Sequence, residues 1–150
     1  MNSKNLIRFK AAFDPEKFEL LGGLEASDYA LRLTKEELAG KDVVQYFQEH
    51  LAEMDLPHLE VAVYLLSKIG TQPAWNMVAD YLAHPAFRVR FVATKMIRDM
   101  TGVDEQVMRK TVAVLSQFSG DGLADELKIL LDRPVNDEAR RIAKEYIDKL

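Results

Sequence analysis

The chain predicts an all-α protein, an α–α superhelix made of antiparallel helix pairs. Three observations carry that expectation. Prolines and glycines punctuate the chain at short, regular intervals from Leu56 onward. Between them, apolar residues recur at helical spacing. One of these stripes also repeats. Val89, Val92, Ala93, Met96, Ile97 and Met100 follow the break at His84-Pro85, and a shift of fifty residues lands on Ala139, Ile142, Ala143, Tyr146, Ile147 and Leu150. A shift back by thirty lands on Leu59, Ala62, Val63 and Leu66, behind Pro57. Proline fixes its own φ and biases the preceding residue away from helix, so each such stripe begins a new helix.

Taken in order, residues 1–13 read as an arm carrying Leu6, Ile7, Phe9 and Phe13. Asp14-Pro15-Glu16 opens a short helix, with a capping carboxylate ahead of proline at the first helical position, and Gly22-Gly23 stops it. Thr34-Lys-Glu-Glu37 is a capping box for a helix to about Asp55, interrupted near Gly40, whose apolar face is Val43, Val44, Phe47, Leu51 and Met54. Pro57 starts a helix over 58–69 that Gly70 ends. Thr71-Gln-Pro73 starts the next, with Met77, Val78, Tyr81 and Leu82 inward. After His84-Pro85 the central helix runs to about Met100 or Thr101. Gly102 reads as its C-cap and Asp104 as the N-cap of a helix to about Phe118, with Val107, Thr111, Val114, Leu115 and Phe118 inward. A loop at Ser119–Gly122, a helix to about Asp132 and a last helix capped by Asn136 complete the chain. No segment alternates with period two, so no sheet is expected.

Composition narrows the function classes. At 150 residues the chain reads as a single domain, long enough to bury roughly 68–70% of its unfolded surface. The apolar fraction of 48% beside 29% charged residues belongs to a soluble globular protein, and the net charge of −4 disfavours general nucleic-acid binding. With no cysteine, disulfides and zinc-thiolate sites are excluded, and a cytoplasmic location is expected. Neither a signal peptide nor a run of ~18 apolar residues is seen, so no membrane association is expected.

Short helices with repeated stripes are the signature of a solenoid. The motif break-Pro-x₃-Val-Arg-x-x-Ala, seen from Pro85 to Ala93 with Val89-Arg90 and Ala93, resembles the HEAT-like repeats of the phycobilisome-lyase type. Asn136 to Ala143, with Ala139-Arg140 and Ala143, looks like a second copy; the Leu59 copy has Glu60 where the arginine would be. The resemblance spans about residues 56–150. It implies a curved stack of helix pairs that presents a surface to a partner, and it carries over no catalytic residue. In such repeats Arg90 and Arg140 would reach an acid or a backbone carbonyl on a neighbouring turn, with partner binding as the other role.

The inventory of chemistry is thin. His50, Glu53, Asp55 and His58 match no metal-ligand spacing. Glu36-Glu37, Asp104-Glu105 and Asp137-Glu138 sit at helix starts, where the dipole favours negative charge. No serine has a nucleophile elbow around it, and the glycines form no phosphate loop. Trp75 reads as a plug between repeats. No metal and no cofactor are therefore expected, and the chain reads as a non-enzymatic interaction module, an adaptor or chaperone-like protein. The central helix carries the candidate partner-binding residues: Phe87, Arg88, Phe91, Lys95 and Arg98. At about 100° per residue, Phe87 and Phe91 point nearly opposite Val89, with the basic residues beside them. Residues 86–111 hold six basic residues against three acidic ones, a net of +3 in a chain of −4. An acidic partner protein would suit that stretch. The competing account buries both phenylalanines as core and leaves the basic residues as a solvated edge. The enzymatic or nucleic-acid alternative, resembling bilin lyases or HEAT-like alkylpurine DNA glycosylases, would use the same basic stretch with Trp75.

Overall fold

The computed structural model describes residues 41–115, Gln117 and residues 122–149. Among them are seven α-helices, two short 3₁₀ turns and no strand. The arm at 1–13, the helix start at Asp14, the capping box at Thr34, Phe118, most of the loop at 119–122 and Leu150 lie outside the described residues. By its contacts the chain divides after Ile69 into two compact units.

In the first unit, α1 (Lys41–His50) runs into a 3₁₀ turn at Leu51–Glu53, and α2 spans Leu56–Ile69. Val44, Phe47 and Leu51 are buried at the expected spacing. On α2 the predicted stripe of Leu59, Ala62, Val63 and Leu66 is buried, and Leu65 widens it. Gly70, at φ 71°, ends the helix in the left-handed conformation that glycine reaches without strain.

The second unit contains α3 (Gln72–Tyr81), α4 (Phe87–Met96), a 3₁₀ turn at Ile97–Asp99, α5 (Glu105–Val112), α6 (Leu123–Leu131) and α7 (Asp137–Asp148). Three of the starts follow the sequence signals closely. Thr71 Oγ1 accepts from the Ala74 N–H, Asp104 Oδ1 from Val107, and Asn136 Oδ1 from Glu138 and Ala139. Each satisfies a backbone donor that the first turn leaves unpaired. Helix α5 packs against both α3 and α7, while α4 and its 3₁₀ turn pack against α6; α3 touches α4 and α6 touches α7. Helices two apart in sequence are thus neighbours, which puts α3, α5 and α7 in one row and α4 and α6 in another. Polar side chains reinforce the rows. The Gln72 side chain donates to the Gly102 carbonyl and accepts from the Asp104 N–H, and Lys110 Nζ reaches Asp80 and the Asn76 carbonyl.

The repeated stripe repeats in burial at most but not all of its positions: Ile142 is fully buried whereas its counterpart Val92 is half-buried. Val89 and Ala139 are fully buried, as are Ala93 and Ala143; Met96 and Tyr146 are both half-buried. Ile97 is fully buried but Ile147 only half, so the two are not equivalent core positions. Helix α4 also stops at Met96 rather than near Met100, because its last turn tightens into the 3₁₀ turn. Gly102 is not a left-handed cap, since among the described glycines only Gly70 and Gly122 have positive φ. Trp75 is buried, together with Met77, Val78 and Leu82.

Unequal burial predicts unequal costs. Ile97→Ala should lose about 2–5 kcal/mol, the range for truncating a buried isoleucine, and Ile147→Ala clearly less. Urea unfolding of the two variants checks this, and equal losses would show that the last turn of α7 is as well packed as the turn after α4.

Candidate functional site

Helix α4 is fixed before it starts. The Ala86 N–H donates to His84 Nδ1 at 3.0 Å, and the His84 ring stacks on Tyr81 at 5.8 Å. Arg90 then reaches back and donates to the carbonyls of His84 (2.9 Å) and Pro85 (3.0 Å). Arg140 does the same on α7, donating to the carbonyls of Leu131 and Arg133. The Leu131 carbonyl belongs to the last residue of α6, one of the acceptors that a helix end leaves unpaired. Both arginines therefore hold the chain that enters their own helix, the structural role expected of them.

With Val89, Ala93 and Thr94 buried on one side of α4, the opposite side is open. Phe87 is 55% exposed and Phe91 45%. One turn apart, their rings lie 5.9 Å between centroids at 46°, within the range of favourable aromatic pairs. The Arg90 guanidinium lies 5.7 Å from the Phe87 ring centre and Lys95 Nζ 5.5 Å from that of Phe91. The account in which both phenylalanines are core is set aside by this exposure. Arg88 is exposed on the same helix.

The basic residues are another matter. Lys95 Nζ donates to Glu126 Oε1 at 3.1 Å, and Arg98 donates to both carboxylate oxygens, from Nε at 2.7 Å and Nη2 at 2.9 Å. Glu126, on α6, is only 3% exposed. Lys95 and Arg98 are thus not a loose solvated edge; they neutralise a buried carboxylate and tie α4 and its 3₁₀ turn to α6. The contacts form a chain from Phe87 to Phe91 to Lys95 to Glu126 to Arg98. Glu126 was not singled out in the sequence, yet a signal is there. It occupies a position of the apolar stripe Leu123, Leu127, Leu130, where an unpartnered acid would be costly. Its partners, about thirty residues away, leave no local trace.

Hydrogen bonds from Arg98, then from Lys95, hold the Glu126 carboxyl below the usual carboxylate range against the opposing effect of burial. Its hydrogen bonds to Glu126, and that carboxylate's charge, push the Arg98 guanidinium upward. A carboxylate whose pKa is depressed by folding adds stability above its unfolded pKa of about 4.3, and that stability is lost as pH falls through the lower folded value. Unfolding free energy should therefore drop below about pH 4–5, and Glu126→Gln, at a cost of about 1–3 kcal/mol near neutrality, should flatten the drop. Lys95→Glu should destabilise by more than the ~0.5 kcal/mol usual at surfaces, because it sets a second carboxylate against a buried one. Denaturant titrations between pH 3 and 7 test all three, and an unchanged acid limb in Glu126→Gln would remove Glu126 as its source.

Among the described residues, no group of three or more histidines and carboxylates is placed to hold a metal ion, and no helix is long and apolar enough to cross a membrane. Compared with known proteins, the chain matches no family model, no curated protein and no solved structure.

Proposed function

We infer that this chain is a non-enzymatic protein-binding module, a HEAT-like α–α superhelix whose contact surface is the open side of α4. The observation that carries the reading is the pair of exposed phenylalanines. Two aromatic rings in mutual contact, beside cations, on a helix whose other side is anchored in the core, have the composition of a binding hot spot. The row-wise packing of alternate helices supports the superhelix. The acids that could move protons have structural employment: Asp104 caps α5, Glu105 pairs with Arg109, Glu138 with Arg141, and Glu126 with Lys95 and Arg98. That employment favours a binding role over a catalytic one.

The alternative use of residues 86–111 on nucleic acid draws less support. Lys95, Arg98, Arg109 and Lys110 are all bonded to carboxylates of the fold. Trp75, which a glycosylase-like reading would call on, is buried.

Phe91→Ala should cost about 1 kcal/mol or less in stability, the scale of a lost cation–π contact at an exposed site. The double variant Phe87→Ser/Phe91→Ser should remain folded and lose whatever protein the wild-type chain retains from native lysate. Quantitative comparison of the two pull-downs checks this; identical retention would remove α4 as the contact surface.

A further inference from the structure

The chain of contacts on α4 has an asymmetry. Two cations meet one carboxylate, so the cluster of Lys95, Arg98 and Glu126 keeps a net charge of +1 at the edge of the exposed aromatic pair. An ammonium carries three N–H donors and a guanidinium five. Glu126 takes one from Lys95 and two from Arg98, while the two cationic side chains stay 45% and 39% exposed. Donors remain on both for a group arriving from solvent. They are also held still. The buried Glu126 fixes both heads from below, and the Phe91 ring flanks Lys95 at 5.5 Å. Ordering a long basic side chain on binding costs about 0.5–1.5 kcal/mol, and here folding has met much of that cost in advance.

We propose that Lys95 and Arg98, positioned by Glu126, form a preorganised fork that captures a carboxylate of the partner protein, while Phe87 and Phe91 cover an apolar side chain next to it. The partner is thus an acidic peptide segment, with Asp or Glu adjacent to a large apolar residue. Charge complementarity selects it: the net +1 of the fork suits a single carboxylate. A nucleic acid would require neutralising many phosphates, typically 6–10, and the chain as a whole is negative at −4. In this arrangement Glu126 is a positioning residue that touches no ligand.

This inference rests on α4 being a protein-binding face, and the experiment separates the two. A random 12-residue peptide display library is selected on the folded chain and, in parallel, on Arg98→Gln, Lys95→Gln and Phe91→Ala, with each variant's folding checked by circular dichroism. The expected result is enrichment of Asp or Glu beside a large apolar residue on the wild-type chain. A selected peptide should then bind roughly tenfold more tightly than its Glu→Gln counterpart, as a charge-assisted bond implies, and the gap should narrow at high salt. Arg98→Gln and Lys95→Gln should each shrink that gap while leaving the Gln peptide's affinity unchanged, and Phe91→Ala should weaken both peptides. Peptides without acidic bias that still depend on Phe91 would overturn the fork and leave the aromatic face standing. Peptides indifferent to Phe91→Ala, or no enrichment at all, would remove both. Binding of duplex DNA at low salt that Arg98→Gln abolishes would also overturn the proposal, by making the captured anion a phosphate.

Discussion

A carboxylate taken out of water has to be answered, and the way Glu126 is answered organises much of the second unit. Burying an isolated charge is so costly that the group must be paired or neutralised. Here two cations arrive from two consecutive elements, one from the last turn of α4 and one from the 3₁₀ turn that follows. This requirement fixes the separation and rotation of α4 against α6 more tightly than apolar packing alone would. Apolar surfaces tolerate sliding, whereas a bidentate guanidinium–carboxylate pair does not. Nearby, Arg133 Nη1 meets Asp99 Oδ1 at 2.7 Å, a second tie between the same two regions, exposed and so weaker.

The sequence expresses local physics well and long-range physics poorly. Caps at Thr71, Asp104 and Asn136 were legible because a capping side chain and its target lie within three residues. The stripe on α4 was legible because burial repeats with the helix. Two local readings failed. The tightening after Met96 changes the angle per residue, so a constant 100° step set Arg98 beside the phenylalanines, whereas in the fold it bonds Glu126 on α6. Gly102 looked like the C-cap, yet Met100 takes that position, and the Gly102 carbonyl accepts from Gln72 thirty residues earlier.

In the candidate site the placement of the aromatic pair was legible, and the bonds that engage Lys95 and Arg98 with Glu126 were not. That Phe87 and Phe91 lie opposite Val89 follows from helix geometry alone. Whether they were covered depended on how the helices pack, which periodicity does not encode. Counting charges along residues 86–111 treated every cation as available, because the acids that engage them lie elsewhere in the chain. Asp80 and Glu126 both fall outside that window, and they take up three of its six cations.

The two arginine clamps have a mechanical meaning. Arg90 sits in the first turn of α4 and bonds the loop that leads into it; Arg140 does likewise for α7. An ordinary helix start frays on its own, and an ordinary loop flexes on its own. When one side chain bonds both, neither can open without releasing the same guanidinium, so loop motion and helix fraying merge into a single event. The surface that α4 displays thus begins at a helix start and a loop that one guanidinium ties together.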